Sequence, residues 1–563
     1  DGRLTFHPEN ETVALPFVSL MRRHGSVFLN AYTNSPICCP SRAAMWSGLF
    51  THLTESWNNF KGLDPNYTTW MDLMEKQGYY TQKYGKLDYT SGHHSLSNRV
   101  EAWTRTVDFL LQQEGRPVAK LIGNKTYVRV MQKDWATTDE AATWIRKKAV
   151  NLTQPFVLYL GLNLPHPYPS PSSGENHGSS TFLTSPYWLQ RMASKAASQL
   201  EPSLTLVALF RDTGAVITYV IYEAIKIPKW SPFSEMHPVD YYSSYTKNCT
   251  GTFTEKEIRD IRAHYYAMCA ETDAMLELQL EENIFGKQIK VLHIGVHLNM
   301  YLFKLGGGSP PLFTGEIISA LNETRLLQRT HVIFTADHGE LAMEHRQFYK
   351  MSMYEASSHV PLLLMGPNIK PQLISNMVSL VDIYPTMLDI AGIPIPKNLS
   401  GFSLMPLLLE KTQDEVSSRK EHSAWVLSEF HGCDVNSSTY MLRTDKWKYI
   451  AYGDGHSVFP QLFDLSADPD ELMNVATTFP EITQSLNKTL FSIIDYPRVS
   501  ISVEQYNKQQ FINWKQSLGQ NYSDTIANLR WHQDWKKDPQ KYEQAIDRWI
   551  ETITGERLIG NDD

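Results

Sequence analysis

Within five residues, Cys38-Cys39-Pro40-Ser41-Arg42 brings together a thiol, a hydroxyl and a guanidinium. The turn before it and the helical composition of residues 43–50 put Cys38 at a helix N-terminus. Unpaired backbone N–H groups and the helix dipole favour an anion there. A second cluster, Asp337-His338-Gly339-Glu340, follows the apolar run 331–335. Its adjacent carboxylate and imidazole are donors suited to a divalent cation. A third polar group, His166, sits in Leu164-Pro165-His166-Pro167 after the apolar run Phe156–Gly161. Each has a bland alternative: buried or disulfide-forming cysteines, a turn after a strand, a structural histidine. Placement argues for chemistry, because ends of strands in open α/β sheets are where ligands gather.

The elements that must position these residues are legible in outline. The runs 156–161 and 331–335 are apolar without alternation, as strands covered on both faces are. Residues 17–21 read as a helix and 26–32 as a strand, while 137–150 and 256–278 have helical patterning. Alternating helices and strands predict an α/β class. From about residue 440 the texture changes, with 440–450 and 461–465 reading as hairpin strands and the segment from 503 as amphipathic helix. The expected division is a catalytic domain over 1–435 and a smaller C-terminal subdomain with antiparallel strands over 436–563.

Composition narrows the class. With 563 residues and 42% hydrophobic content the chain can bury a large core. A net charge of −8 without a basic block excludes a nucleic-acid binder. Ten Asn-x-Ser/Thr sequons, at Asn10, Asn66, Asn124, Asn151, Asn248, Asn322, Asn398, Asn436, Asn487 and Asn521, point to the ER lumen. With Cys38 set aside, Cys39, Cys249, Cys269 and Cys433 allow one or two disulfides whose pairing the spacing does not fix. No signal peptide precedes Asp1, so the true start is expected to be missing. Arg211 and Asp212 interrupt the one long apolar stretch, 204–225, so no membrane span is expected.

The pentapeptide fits Cys-x-Pro-Ser-Arg and resembles the signature of the type I sulfatases. Residues 378–392 and 462–476 look like further landmarks of that family. The resemblance implies an alkaline-phosphatase-like sandwich with a large mixed central sheet flanked by helices. It implies that a formylglycine-generating enzyme in the ER converts Cys38 to formylglycine (3-oxoalanine), whose hydrate attacks the sulfate ester. Arg42 would stabilise that group, and residue 38, Asp337 and His338 would bind one divalent metal, Ca2+ first and Mg2+ as the alternative. The remaining ligands would come from a first strand not present in this chain. Gly85-Lys86-Leu87-Asp88 resembles the Gly-Lys-Trp-His element whose lysine binds sulfate, with Asp88 in place of histidine. His166 would contact sulfate or protonate the leaving oxygen, and Lys350, from a Lys-x-x-x-Tyr-Glu element, would bind another sulfate oxygen. His237, in the polar aromatic stretch 234–240, would line the substrate pocket. Arg42, Lys86, His166, His237 and Lys350 together would make a cationic pocket in an acidic protein.

Within the family, the wording of these motifs implies a lysosomal and secreted exosulfatase removing 2-O-sulfate from terminal glucuronate of glycosaminoglycans such as heparan sulfate. Nineteen histidines would add positive charge on acidification and favour such a polyanion. Segments 197–223 and 278–314 do not resemble the family and read as insertions. The competing readings are a phosphonate or phosphate ester hydrolase of the same superfamily, and an inactive pseudo-enzyme that binds sulfated glycans.

Overall fold

The computed structural model describes residues 13–92, 100–104, 115–169, 179–190, 225–276, 316–409, 424–432, 435–528 and 537–551. Both expected insertions lie outside these residues. The central sheet runs in the order Gln372–Ser379, Gly25–Tyr32, Leu362–Met365, Val332–Thr335. Gly25–Tyr32 pairs parallel with Gln372–Ser379 and antiparallel with Leu362–Met365, which is in turn antiparallel to Val332–Thr335. Two antiparallel steps restore direction, so Gly25–Tyr32 and Val332–Thr335 end at the same edge. That is why Cys38 and Asp337, some three hundred residues apart, meet.

Leu362–Met365 is buried along its whole length, as its four unbroken apolar residues require. On one side the helix Pro16–His24 covers the sheet, and the long helix Glu255–Leu276 packs against that helix. Asp273 of the long helix accepts from the backbone N–H groups of Phe17 and Val18 at 2.9 and 3.0 Å, satisfying donors of the first turn of Pro16–His24. On the other side Trp46, Trp70 and Met74 join Phe28, Val360 and Leu388 in a second cluster. The helix of the cysteine motif, Cys38–Ser47, is buried at every position and ends at Gly48 in a left-handed conformation. It begins at Cys38 itself, earlier than the composition of 43–50 marks it.

A parallel pair, Tyr80–Gly85 and Phe156–Gly161, lies beside this layer. Its two glycines close the C-terminal end. A Cβ at Gly85, where φ is +77°, would stand 2.0 Å from the carbonyl oxygen of Gly161, and one at Gly161 would stand 2.1 Å from that of Lys86. This close approach, with Lys86 N donating to Gly161 O at 2.8 Å, delivers Lys86 and the His166 loop to the same edge.

The C-terminal sheet is antiparallel, in the order Trp425–Phe430, Thr439–Thr444, Trp447–Tyr452, Gln461–Asp464. Its first strand, Trp425–Phe430, precedes residue 436, the expected start of the subdomain, and pairs along its whole length with Thr439–Thr444. Helices Pro480–Ile493 and Tyr496–Leu518 follow. Among the described residues no helix is long and apolar enough to cross a membrane.

Candidate active site

Cys38 opens its helix with only 4% of its surface exposed. Lys86 Nζ donates to its Sγ at 3.1 Å, and His338 Nε2 lies 3.3 Å away. Burial would raise the pKa of this thiol, but the charges of Lys350, Lys86 and His338 outweigh it and hold the group well below the ordinary thiol range. Its neighbour Cys39 is driven the other way, well above that range, by burial and by Asp88. Two adjacent cysteines are thus split into an anion-ready position and an inert one.

Arg42, one helical turn on, ties the two strand ends together. Its Nε donates to Asp337 Oδ2 at 2.8 Å, and its Nη1 reaches Lys86 O at 2.9 Å and Tyr159 Oη at 2.6 Å. Burial opposes ionisation of Asp337, yet Arg42, His338, Lys86 and Lys350 keep it far below the usual carboxylate range. Ser41 Oγ donates to Asp337 O, which fixes the same turn. His338 Nδ1 donates to Gly339 O at 2.8 Å, which turns Nε2 toward Cys38 and Asp337.

Lys350 Nζ contacts His166 Nε2, while His166 Nδ1 donates to Pro167 O at 2.6 Å. Burial, Lys350 and Lys86 hold His166 well below its usual pKa, so it is a neutral acceptor that aims the Lys350 ammonium. Glu340, behind the strand end, is raised to about 7 by burial.

Cys38, Asp337 and His338 offer sulfur, oxygen and nitrogen atoms that all lie within 4.8 Å of one another. That spacing, with His338 Nε2 turned toward the other two, fits a divalent cation held from one side. Six to eight oxygen ligands are usual for calcium, and this trio supplies one carboxylate, so these donors do not select calcium over magnesium.

Seven of the eight residues singled out in the sequence therefore meet: Cys38, Arg42, Lys86, His166, Asp337, His338 and Lys350. His237 does not join them. It caps the helix Pro238–Thr246 through Nδ1, which accepts from Val239 N at 3.3 Å, and its Nε2 donates to Phe459 O at 2.9 Å. Its ring stacks on Tyr452 of the C-terminal sheet, so both nitrogens serve the fold. Tyr159, Asp134 and Lys247 support the site but were not singled out. Tyr159 is hidden in an apolar run, and the partners of the other two are remote in the chain.

The residues of this site can bind a tetrahedral oxyanion, and comparison with known proteins agrees. Residues 6–282 match the family described as Sulfatase, and residues 343–495 match N-sulphoglucosamine sulphohydrolase, C-terminal. Arylsulfatase K of Gallus gallus is 67% identical over 551 residues, covering 98% of this chain and 91% of that protein. Arylsulfatase K of Homo sapiens is 65% identical over 560 residues, with coverage of 99% and 92%. Among solved structures, a 2-O GAG sulfatase aligns with a TM-score of 0.51 at 20% identity, covering 86% of this chain and 87% of that one. The phosphonate monoester hydrolase of Agrobacterium radiobacter aligns with a TM-score of 0.54 at 17% identity, covering 87% and 92%. At such identities the two structures speak for the alkaline-phosphatase-like fold alone.

Proposed function

The chain belongs to the sulfatase family and is a sulfuric ester hydrolase, and from that premise we propose that it is an exosulfatase for 2-sulfated glucuronate at the ends of glycosaminoglycan chains, using formylglycine made from Cys38. The observation that carries the mechanism is the setting of Cys38: a helix N-terminus, with Lys86 and His338 within 3.3 Å. An ordinary thiol has no need of such surroundings, whereas a formylglycine hydrate supplies one hydroxyl to attack sulfur and another to expel sulfate.

This chain's own residues do the rest. Lys86 and Lys350 bring two ammonium groups to the sulfate oxygens, and the amides of the Cys38–Ser47 helix face the same anion. Arg42 fixes Asp337 and the Lys86 backbone in one geometry, which a planar guanidinium with several donors can do and a lysine cannot. His166 accepts from Lys350 and orients its charge. Asp337, His338 and residue 38 would hold a divalent cation, calcium or magnesium, that polarises the nucleophile.

The glucuronate-2-sulfate substrate is supported by the 67% and 65% identity to arylsulfatase K proteins. A route through the ER, where a formylglycine-generating enzyme acts, to lysosome and medium is supported by the sequons. Asn66, Asn124, Asn151, Asn398, Asn436 and Asn521 are exposed, open to glycan transfer. The test has two readouts on protein secreted from animal cells. The peptide containing Cys38 should carry the mass of the aldehyde, and the enzyme should release sulfate from an oligosaccharide ending in 2-sulfated glucuronate. A peptide still holding sulfur would remove the nucleophile. Faster turnover of aryl phosphonate than of aryl sulfate would favour the phosphonate reading instead.

A further inference from the structure

Arg346 stands at the tip of the hairpin whose return strand, Phe348–Tyr349, leads directly into Lys350. Its guanidinium is held between two aromatic rings, 4.3 Å from the centroid of Trp230 and 4.3 Å from that of Phe233. Trp230 is pinned by its Nε1, which donates to Met343 O at 2.6 Å. The clamp is part of the hairpin's own construction. Met343, His345 and Arg346 all adopt positive φ, at 76°, 51° and 54°. Strain of that kind in three residues with side chains persists only where surrounding structure enforces it.

The clamped cation is not neutralised. Among the described residues no carboxylate pairs with Arg346, and its buried Nε has no hydrogen-bond partner. Burial lowers its pKa, opposed by the Cys249 thiol alone. That thiol is pushed up to about 12 by burial and stays uncharged at physiological pH. Stacking between two rings limits the rotamers of a long side chain, so an oxyanion binding there loses little entropy. Beside it, Phe233 and Tyr241 are 38% and 45% exposed with ring centroids 5.9 Å apart, a surface on which a sugar ring can lie. Arg346 and Lys350 are four positions apart, at most about 14 Å between Cα atoms and less across a turn. That is the scale of a short oligosaccharide.

We propose that Arg346, clamped by Trp230 and Phe233, is a second anion-binding subsite that takes the carboxylate or sulfate of an inner sugar of the substrate chain. The subsite rests on reading the substrate as a sulfated glycan. It accounts for selection of a polyanionic chain over a lone sulfate ester, since the group gripped is not the one cleaved.

The experiment measures aryl sulfate hydrolysis by the secreted enzyme with a heparin-derived tetrasaccharide as competitor, in wild type, Arg346→Gln and Arg346→Lys. In the glutamine variant the inhibition constant for the tetrasaccharide should rise about tenfold, while kcat/KM for the aryl ester stays within twofold. The lysine variant, charged but without the planar fork, should fall between. Carboxyl-reduced and partly desulfated tetrasaccharides identify the group, since the one Arg346 grips is the one whose loss abolishes the difference between wild type and variant. Equal inhibition of all three enzymes overturns the subsite. A parallel loss of aryl activity also overturns it, by showing that Arg346 only shapes the hairpin. If wild type is inhibited by but does not desulfate a competitor ending in 2-sulfated glucuronate, the sugar assignment fails, and the tenfold difference still decides the subsite.

Discussion

Lys247 Nζ donates to the carbonyl oxygen of Lys350 at 2.6 Å, although the Lys247 side chain is wholly buried. The same ammonium reaches Gln347 Oε1 at 2.8 Å, and Ser243 Oγ donates to that oxygen at 3.0 Å. On the other flank Met351 N donates to Pro36 O at 3.0 Å, two residues before Cys38. Tyr349 and Met351, on either side of Lys350, have φ of 66° and 67°. Lys350, proposed to bind sulfate, is thus held in a strained segment by a second lysine beneath it.

Replacing Lys247 by methionine keeps the length of the side chain and removes the clamp. The expected result is a loss of kcat/KM of tenfold or more on aryl sulfate, together with weaker competitive inhibition by inorganic sulfate, which reports on the Lys350 ammonium directly. A stability change without any change in sulfate inhibition would mean that Lys247 merely fills space.

Asp134 performs the matching task for His166. It is 1% exposed, and its carboxylate accepts from Asn163 N, Asn163 Nδ2 and Leu164 N at 2.8, 2.7 and 2.8 Å. Asp134→Ala leaves the backbone N–H groups of Asn163 and Leu164 unpaired, at a cost of about 2–4 kcal/mol. A lower denaturant midpoint and a fall in kcat should appear together, the second because the loop no longer presents His166 to Lys350.

Much of this site was legible because its signals are local. The cysteine motif precedes a helix, Asp337-His338 ends an apolar strand, and both facts lie within a few neighbouring residues. His237 shows the limit: a polar aromatic stretch marks a loop but not the direction its side chains take, and here the imidazole faces the C-terminal sheet. Lys247 and Asp134 left no trace because their partners are 103 and 29 residues away. No periodicity encodes such a pairing. The sheet order was hidden for the same reason, since the class follows from alternation whereas the antiparallel step through Leu362–Met365 is a long-range choice.

Arg42→Lys tests whether the guanidinium acts as a charge or as a bracket. Lysine keeps the charge beside Asp337 but cannot also reach Lys86 O and Tyr159 Oη from a fixed plane. A fall in kcat on the order of a hundredfold is expected, with weakened divalent-metal affinity read by titration of the chelator-stripped enzyme. Near-normal turnover would show that charge alone suffices.

Glu271 makes a contribution to the pH dependence of stability whose sign is fixed by its burial. Its Oε1 accepts from Val130 N, Met131 N and Trp135 Nε1 at 2.8, 3.0 and 2.9 Å, yet burial dominates and raises its pKa from 4.5 to about 7. A carboxyl raised in the folded state binds more protons there than in the unfolded chain between those two values, so the contribution of Glu271 is greatest below 4.5 and is lost as pH rises through 7. The full swing is at most about 3 kcal/mol at 1.36 kcal/mol per unit. Asp382, also raised to about 7 by burial, leans the same way. Relative to wild type, Glu271→Gln should therefore gain melting temperature between pH 5 and pH 8, while the lowered His166, His264 and His345 pull both proteins equally the other way. A variant with the wild-type slope would show that Glu271 keeps its charge in the fold, stabilised by its three donors against burial.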